Sequence, residues 1–314
     1  MTRPVGPSAD AARRRLAGAI SLSVGVAVFT LQDLVMKHLS GDYPVHLAMV
    51  IRSLAALPFL LLFVRVECGL AGLRNRWIPF LILRGAIQIV SFTAYYLAFP
   101  ALPLAVVVAL FFTAPLLITA LSGPFLGERV GAARWLAVIV GFAGVVLIAR
   151  PSDGIFEAVA VLPILSAFGY ACGQLIVRRI GAGVVASVTA FYQNLMFMAG
   201  GLMLALAVGD GRLAGTGDPS LEFLLRAWTV PSWLDFGLLA VCGPISAISI
   251  WLINNAYRTT EANLVAPFEF TAMIWGVVWG AALWGEFPEP LTFAGIALVL
   301  GAGLFVMRSR LPGG

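Results

Sequence analysis

Ten side chains suited to holding a polar or charged solute interrupt the apolar runs of this chain: Asp33, Arg52, Gln88, Ser91, Tyr95, Gln174, Trp251, Asn255, Glu269 and Trp275. Arginine pairs with carboxylates, a carboxylate takes an amine or a proton, and amides, hydroxyls and aromatic walls orient what lies between. Catalysis asks for more: a nucleophile beside a base, paired carboxylates or a metal cluster. The two histidines, His38 and His46, sit at the edge of apolar runs, and no intramembrane Asp or Glu pair is close in sequence. Cys68, Cys172 and Cys242 are too scattered for a disulfide framework or a CxxC metal site. The expectation is a binding protein, not an enzyme, with no cofactor and no metal.

Spacing organises these residues. Arg84, Gln88, Ser91 and Tyr95 recur at intervals of four, three and four, Ser166, Tyr170, Gln174 and Arg178 at intervals of four, and Thr30, Asp33 and Lys37 at three and four. Each set falls on one face of a helix. The stripes form either a shared aqueous lining or interhelical hydrogen-bond glue. Trp251, Asn254 and Asn255 share a face, and Pro267 precedes Glu269. Pro58, Pro115, Pro163, Pro244 and Pro267 either kink helices or free backbone groups for a ligand.

The elements that carry these stripes must be buried in lipid. Of 314 residues, 61% are apolar and 11% charged, far from the usage of soluble domains. Apolar runs near 16–36, 45–65, 77–97, 101–122, 132–149, 156–177, 184–208, 233–256, 262–284 and 290–307 are long enough to span a bilayer at about 1.5 Å per residue. The only long connection runs from Asp210 to Ser232. The net charge of +5 reflects basic residues at helix ends rather than a nucleic-acid partner. With the N-terminus inside, cytoplasmic segments hold Arg3, Arg13, Arg14, Arg15, Arg65, Arg74, Arg76, Arg129, Arg134, Arg178, Arg179, Arg258, Arg308 and Arg310, against Lys37, Arg150, Arg212 and Arg226 outside. That bias predicts an inner-membrane protein with both termini cytoplasmic.

Charge at membrane depth costs about 2.5–3.5 kcal/mol on insertion scales, so it requires a partner or a wet cavity. Asp33 and Arg52 lie at similar depth near the outer face, and Arg84 and Glu269 near the inner one, so depth allows two pairs. Arg52 either binds a substrate carboxylate or forms a fixed ion pair with Asp33. Arg84 either pairs with Glu269 or snorkels towards the cytoplasm.

A repeat underlies the pattern. A shift of 158 lays Phe112-Thr113-Ala114 on Phe270-Thr271-Ala272, Gly127-Glu128 on Gly285-Glu286, and Val107 on Val265. A shift of 141 lays Asp33 on Gln174, Leu34 on Leu175, Lys37 on Arg178, Arg52 on Gln193 and Ser53 on Asn194. Five spans per copy is an odd number, so the copies enter the membrane in opposite senses. The fold expected is therefore an all-α membrane protein of ten transmembrane helices in two inverted five-helix repeats. A tail covers 1–15, the repeats 16–150 and 156–308, and a second tail 309–314. Inverted repeats characterise secondary transporters, which hold substrate near the midplane where the halves meet.

The chain resembles the bacterial drug/metabolite transporter superfamily with paired EamA domains. The resemblance rests on a span ending in Gly-Glu before an apolar span in each half, Gly127-Glu128 with Gly141 to Ile148 and Gly285-Glu286 with Gly295 to Met307, and on Asp33 to Lys37 followed by Arg52. It implies transport of amino acids, including aromatic ones, or of nucleosides, cofactors and S-adenosylmethionine. The reading is a carrier of a small metabolite, foremost an amino acid, working by alternating access. Lipid and the solute are its partners, and its oligomeric state is open, a monomer being plausible. The alternatives are a carrier of nucleoside or cofactor-type solutes, a channel, or a polytopic enzyme. The Gly-Glu pairs themselves read as structural, closing one helix and starting a turn.

Overall fold

A computed structural model of the chain describes residues 9–127, 131–149, 158–260, 265, 268–269, 271–287 and 289–308. Glu128, Arg129, Arg150, Pro267, Phe270 and the 309–314 tail lie outside the described residues. Among the described residues there is helix and no strand. In chain order the helices are α1 (Ala9–Leu39), α2 (Val45–Glu67), α3 (Ile78–Leu97), α4 (Leu104–Phe111), α5 (Thr113–Leu126), α6 (Ala132–Ala149), α7 (Val161–Ile180), α8 (Ala186–Val208), α9 (Pro219–Leu225), α10 (Trp233–Thr259), α11 (Thr271–Trp284) and α12 (Pro290–Arg308).

Among the described residues, seven segments are long and apolar enough to cross a membrane: Leu16–Leu39, Val45–Glu67, Ile78–Leu97, Leu104–Leu126, Val161–Gly183, Ala186–Val208 and Trp233–Thr259. Trp135–Ile148, Ile274–Trp284 and Pro290–Ala302 are shorter apolar helices. The outer surface differs from that of a water-soluble protein, although the core is apolar in the usual way. Leu54, Leu62, Ile139 and Met203 face outwards, while Arg52, Arg84, Gln88 and Ser53 are buried. Hydrocarbon as solvent selects this pattern, because polar groups must find partners inside the bundle.

The bundle is built by packing across the chain rather than between neighbours alone. Helix α1 lies on α10 and α11, α2 on α8 and α10, α3 on α7 and α8, α5 on α6 and α7, and α11 on α4. Helices α6 and α12 form a close pair at small residues. A Cβ on Gly144 would stand 2.7 Å from the carbonyl oxygen of Gly295, and one on Gly295 would stand 2.7 Å from that of Gly144. In hydrocarbon such contact is what holds helices together, since lipid competes for every apolar side chain.

Two local features depart from the sequence expectation. The expected span over 101–122 is split at Phe112, whose backbone (φ −70°, ψ 6°) separates α4 from α5. Pro115 explains the break: it has no N–H for the carbonyl of Phe111 and its ring clashes there. The long connection from Asp210 to Ser232 contains α9, started by Pro219 at its first position and capped by Asp218, which accepts from the Leu221 amide at 2.8 Å. As expected, Gly127 (φ 70°) and Gly285 (φ 65°) take left-handed turns at the ends of α5 and α11.

Candidate functional site

Helices α1, α3, α4, α7 and α10, with Glu269 just ahead of α11, line a cavity of ≈ 60 Å³. It has room for roughly four waters. Its wall is largely aromatic and aliphatic, with Phe29, Phe92, Phe111 and Phe112 prominent, and its polar groups are Thr30, Asp33, Tyr95, Tyr170 and Glu269. The break at Phe112 brings two consecutive phenylalanines to this wall.

Each carboxylate is held by phenols. The Tyr95 hydroxyl donates to Asp33 Oδ2 at 3.1 Å, leaving Oδ1 buried and without a hydrogen-bond partner. Tyr170 and Tyr257 both donate to Glu269 Oε1 at 2.6 Å. Asp33 and Glu269 are 4% and 2% exposed, so neither is solvated from the surface.

The two ion pairs that depth allows are not made. Arg52 donates from Nη1 to the Tyr96 hydroxyl at 3.0 Å, and its guanidinium lies 5.2 Å from the Phe197 ring centre. Tyr96 also takes a bond from Gln32 Nε2. Adjacent tyrosines thus hold the two groups, Tyr95 the carboxylate of Asp33 and Tyr96 the guanidinium of Arg52. Arg84 is buried, not snorkelling, and spans three helices. It donates from Nε to the Gly173 carbonyl at 3.1 Å, from Nη1 to Gln193 Oε1 at 2.7 Å and from Nη2 to Asn254 Oδ1 at 2.9 Å. Glu269 accepts from phenols instead. In both places a neutral polar side chain reaches the buried cation more easily than a carboxylate on a distant backbone.

Of the ten expected site residues, the structure gathers Asp33, Tyr95 and Glu269 at the cavity. Ser91 instead binds α3 to α7, donating to the Ser166 carbonyl at 2.7 Å. Gln88 is fully buried against Gly173, where an added Cβ would meet its side chain at 2.9 Å. Gln174 is buried beside them but outside the cavity wall. The α3 and α7 stripes thus face each other, and part of the expected lining is interhelical contact. Trp251 points elsewhere, donating from Nε1 to Glu67 Oε1 at 2.7 Å and packing on Phe63. Asn255 accepts from Arg258 one turn on, at 3.3 Å. Trp275 is 37% exposed and stacks on Trp279. For these three, sharing a polar face of the sequence did not mean facing the cavity.

Several residues escaped sequence reasoning. Tyr257 and the four cavity phenylalanines read as ordinary apolar residues. Glu286 read as part of a turn, yet its carboxylate crosses to α1 and takes both contacts of Lys37 Nζ, at 2.8 and 2.9 Å, and the Leu104 amide at 3.0 Å. The repeat register, which sets Lys37 beside Arg178 and Glu286 beside Glu128, was the available signal.

Residues 16–150 match the EamA-like transporter family. Those residues carry an EamA-like transporter domain. Along most of its length the chain is similar to a riboflavin transporter of Rhizobium johnstonii, 29% identical over 95% of this chain and 93% of that one. A pseudopaline exporter of Pseudomonas aeruginosa is 25% identical over 90% and 93%. An S-adenosylmethionine uptake transporter of Rickettsia bellii is 22% identical over 74% of each. The chain also shares its fold with a protein of known crystal structure, at a TM-score of 0.65 and 17% identity over 93% of this chain and 98% of that one. Transport of a small molecule by a multi-pass membrane protein is thus the activity of its relatives, and they carry chemically unlike solutes.

Proposed function

We propose that this EamA-domain protein is a secondary carrier of a small amphipathic solute, working by alternating access in the inner membrane with both termini cytoplasmic, and that the cavity between Asp33 and Glu269 is its binding site. One observation carries the reading: an aromatic-walled cavity with two buried carboxylates, lined by helices from both halves of the chain. Its volume of ≈ 60 Å³ means that it must widen to admit a solute.

Two inverted five-helix repeats are supported by the packing. Exchanging the halves turns the α1–α10 contact into α3–α7 and the α2–α10 contact into α3–α8, while α2–α8 and α6–α12 map on themselves. Asn194 Nδ2 donates to the carbonyl of Ser53, its counterpart in the 141-residue register, at 2.9 Å. Arg52 touches Tyr96, and their counterparts in the 141- and 158-residue registers, Gln193 and Asn254, are bridged by Arg84.

Amino acids and cofactor-type solutes both remain within this reading, and the names of the relatives favour the second as much as the first. Counterflow of labelled amino acids, flavins, nucleosides and S-adenosylmethionine in proteoliposomes tests it. Exchange of at least one solute, abolished by Phe112→Trp filling the cavity, is the expected result. No exchange of any solute by folded protein would refute it.

A further inference from the structure

The charge of the cavity wall constrains what it accepts. Its ionisable groups are Asp33, Glu269 and the phenols of Tyr95 and Tyr170. The two buried arginines nearby lie outside that wall: Arg52 donates from Nη1 to Tyr96 and lies beside Phe197, with Nε left without a partner, and Arg84 is held by Gly173, Gln193 and Asn254. A carboxylate or phosphate entering here would meet carboxylates and no cation, at a depth where unpaired charge is costly. A cation would meet the opposite. Asp33 Oδ1 is a buried acceptor with no donor, and ring faces of Phe29, Phe92, Phe111 and Phe112 surround the space. Aromatic faces attract ammonium groups and stack on planar rings alike.

We propose that the solute carried is an organic cation bearing a planar or aromatic body, its ammonium or sulfonium group held between Asp33 and Glu269 and its ring against the cavity phenylalanines. This deepens the transporter reading and rests on it. It also displaces the free amino acid as the foremost substrate, since the carboxylate of a zwitterion finds no partner on this wall.

Binding to purified protein in nanodiscs, followed by isothermal titration with four probes of one shape, provides the test. Phenethylamine is cationic, 2-phenylethanol neutral, phenylacetate anionic and phenylalanine zwitterionic. A buried charge-assisted contact predicts that phenethylamine binds roughly tenfold to a hundredfold tighter than 2-phenylethanol, with phenylacetate weaker still. This comparison uses wild-type protein alone, so it stands even where variants fold poorly. Asp33→Asn and Glu269→Gln should each reduce phenethylamine affinity about tenfold or more, whereas Trp275→Phe should leave it unchanged. Phenylacetate, phenylalanine or 2-phenylethanol binding as tightly as phenethylamine, no binding of phenethylamine, or full affinity in folded Asp33→Asn and Glu269→Gln would each overturn the proposal. Counterflow separates this failure from that of the transporter reading. Exchange of anions or zwitterions in place of cations defeats the cation assignment alone, while no exchange of any solute defeats both.

Discussion

Lys37, at the end of α1, reaches Glu286, in the turn between α11 and α12, with its Nζ 2.8 and 2.9 Å from the two carboxylate oxygens and 5.2 Å from the centre of the Trp284 ring. The side chains are 8% and 27% exposed, so the pair is neither a free surface contact nor fully desolvated. Glu286 also holds the Leu104 amide at the start of α4. One carboxylate thus ties three segments together on the side of Asp33 nearer the end of α1.

The pair should therefore show measurable coupling. In a double-mutant cycle of Lys37→Met and Glu286→Gln, read by thermal melting in detergent, an interaction of about 1–2 kcal/mol is expected, between the values typical of exposed and buried pairs. Additive single-mutant effects would show that the contact contributes nothing to stability.

Arg84 should prove structural. Arg84→Ala removes three hydrogen bonds and strands two buried amide oxygens, on Gln193 and Asn254, so a loss of about 3–5 kcal/mol or failure to purify as a monodisperse protein is expected. Arg84→Lys should not rescue it, because a single ammonium cannot reach three acceptors in a planar fork. A stable, monodisperse Arg84→Ala protein would contradict this account.

How much of this was legible in the sequence follows from what the residues respond to. Apolar runs answer to the bilayer, so the positions of most spans could be read directly, and Gly127 and Gly285 mark their turns because few other residues accept positive φ. Asp33 and Glu269, both expected in the site, do line one space. Helix rotation was not legible. Trp251 and Asn255 share a polar face that packs on α2 and its own last turn, because a stripe gives a direction only relative to neighbours the sequence does not name. The break at Phe112 was masked by an unbroken apolar run, with Pro115 the sole clue.

The long connection offers a pH test. The backbone amide of Thr216, and after it that of Gly215, hold the Glu222 carboxylate below its ordinary value of 4.5. A depressed carboxylate contributes to order above its unfolded pKa and loses that contribution as pH falls through the folded one. Amide shifts of Gly215 and Thr216 followed by NMR should titrate with a midpoint below pH 4.5. A midpoint at or above that value, or the same titration in Glu222→Gln, would remove these hydrogen bonds.

Close packing of α6 on α12 leaves no room for a side chain at Gly144, where a Cβ meets the Gly295 carbonyl oxygen at 2.7 Å and Leu298 Cβ at 2.9 Å. Gly144→Leu should separate the helices and lower stability by about 2–4 kcal/mol, as overpacking against backbone does. Gly237→Leu, at a position with open space, serves as the control and should melt like wild type.

The last prediction separates cavity residues from those that only shared their pattern. Trp251 donates to Glu67 Oε1, while Glu67 Oε2 accepts from the Ser187 amide in the first turn of α8 at 3.0 Å. Trp251→Phe therefore removes one hydrogen bond to a charged group and keeps the ring against Phe63, so a loss of about 1–2 kcal/mol in stability is expected. Solute exchange at a permissive temperature should be unchanged. Tyr170→Phe is as conservative in volume but removes a 2.6 Å donor from Glu269 Oε1 inside the cavity, freeing the carboxylate to shift. Its exchange kinetics should change by about tenfold, the worth of one charged hydrogen bond. Measuring counterflow and melting for both variants distinguishes the roles: a transport defect in Trp251→Phe with none in Tyr170→Phe would move the binding site from this cavity to the α2–α10 face.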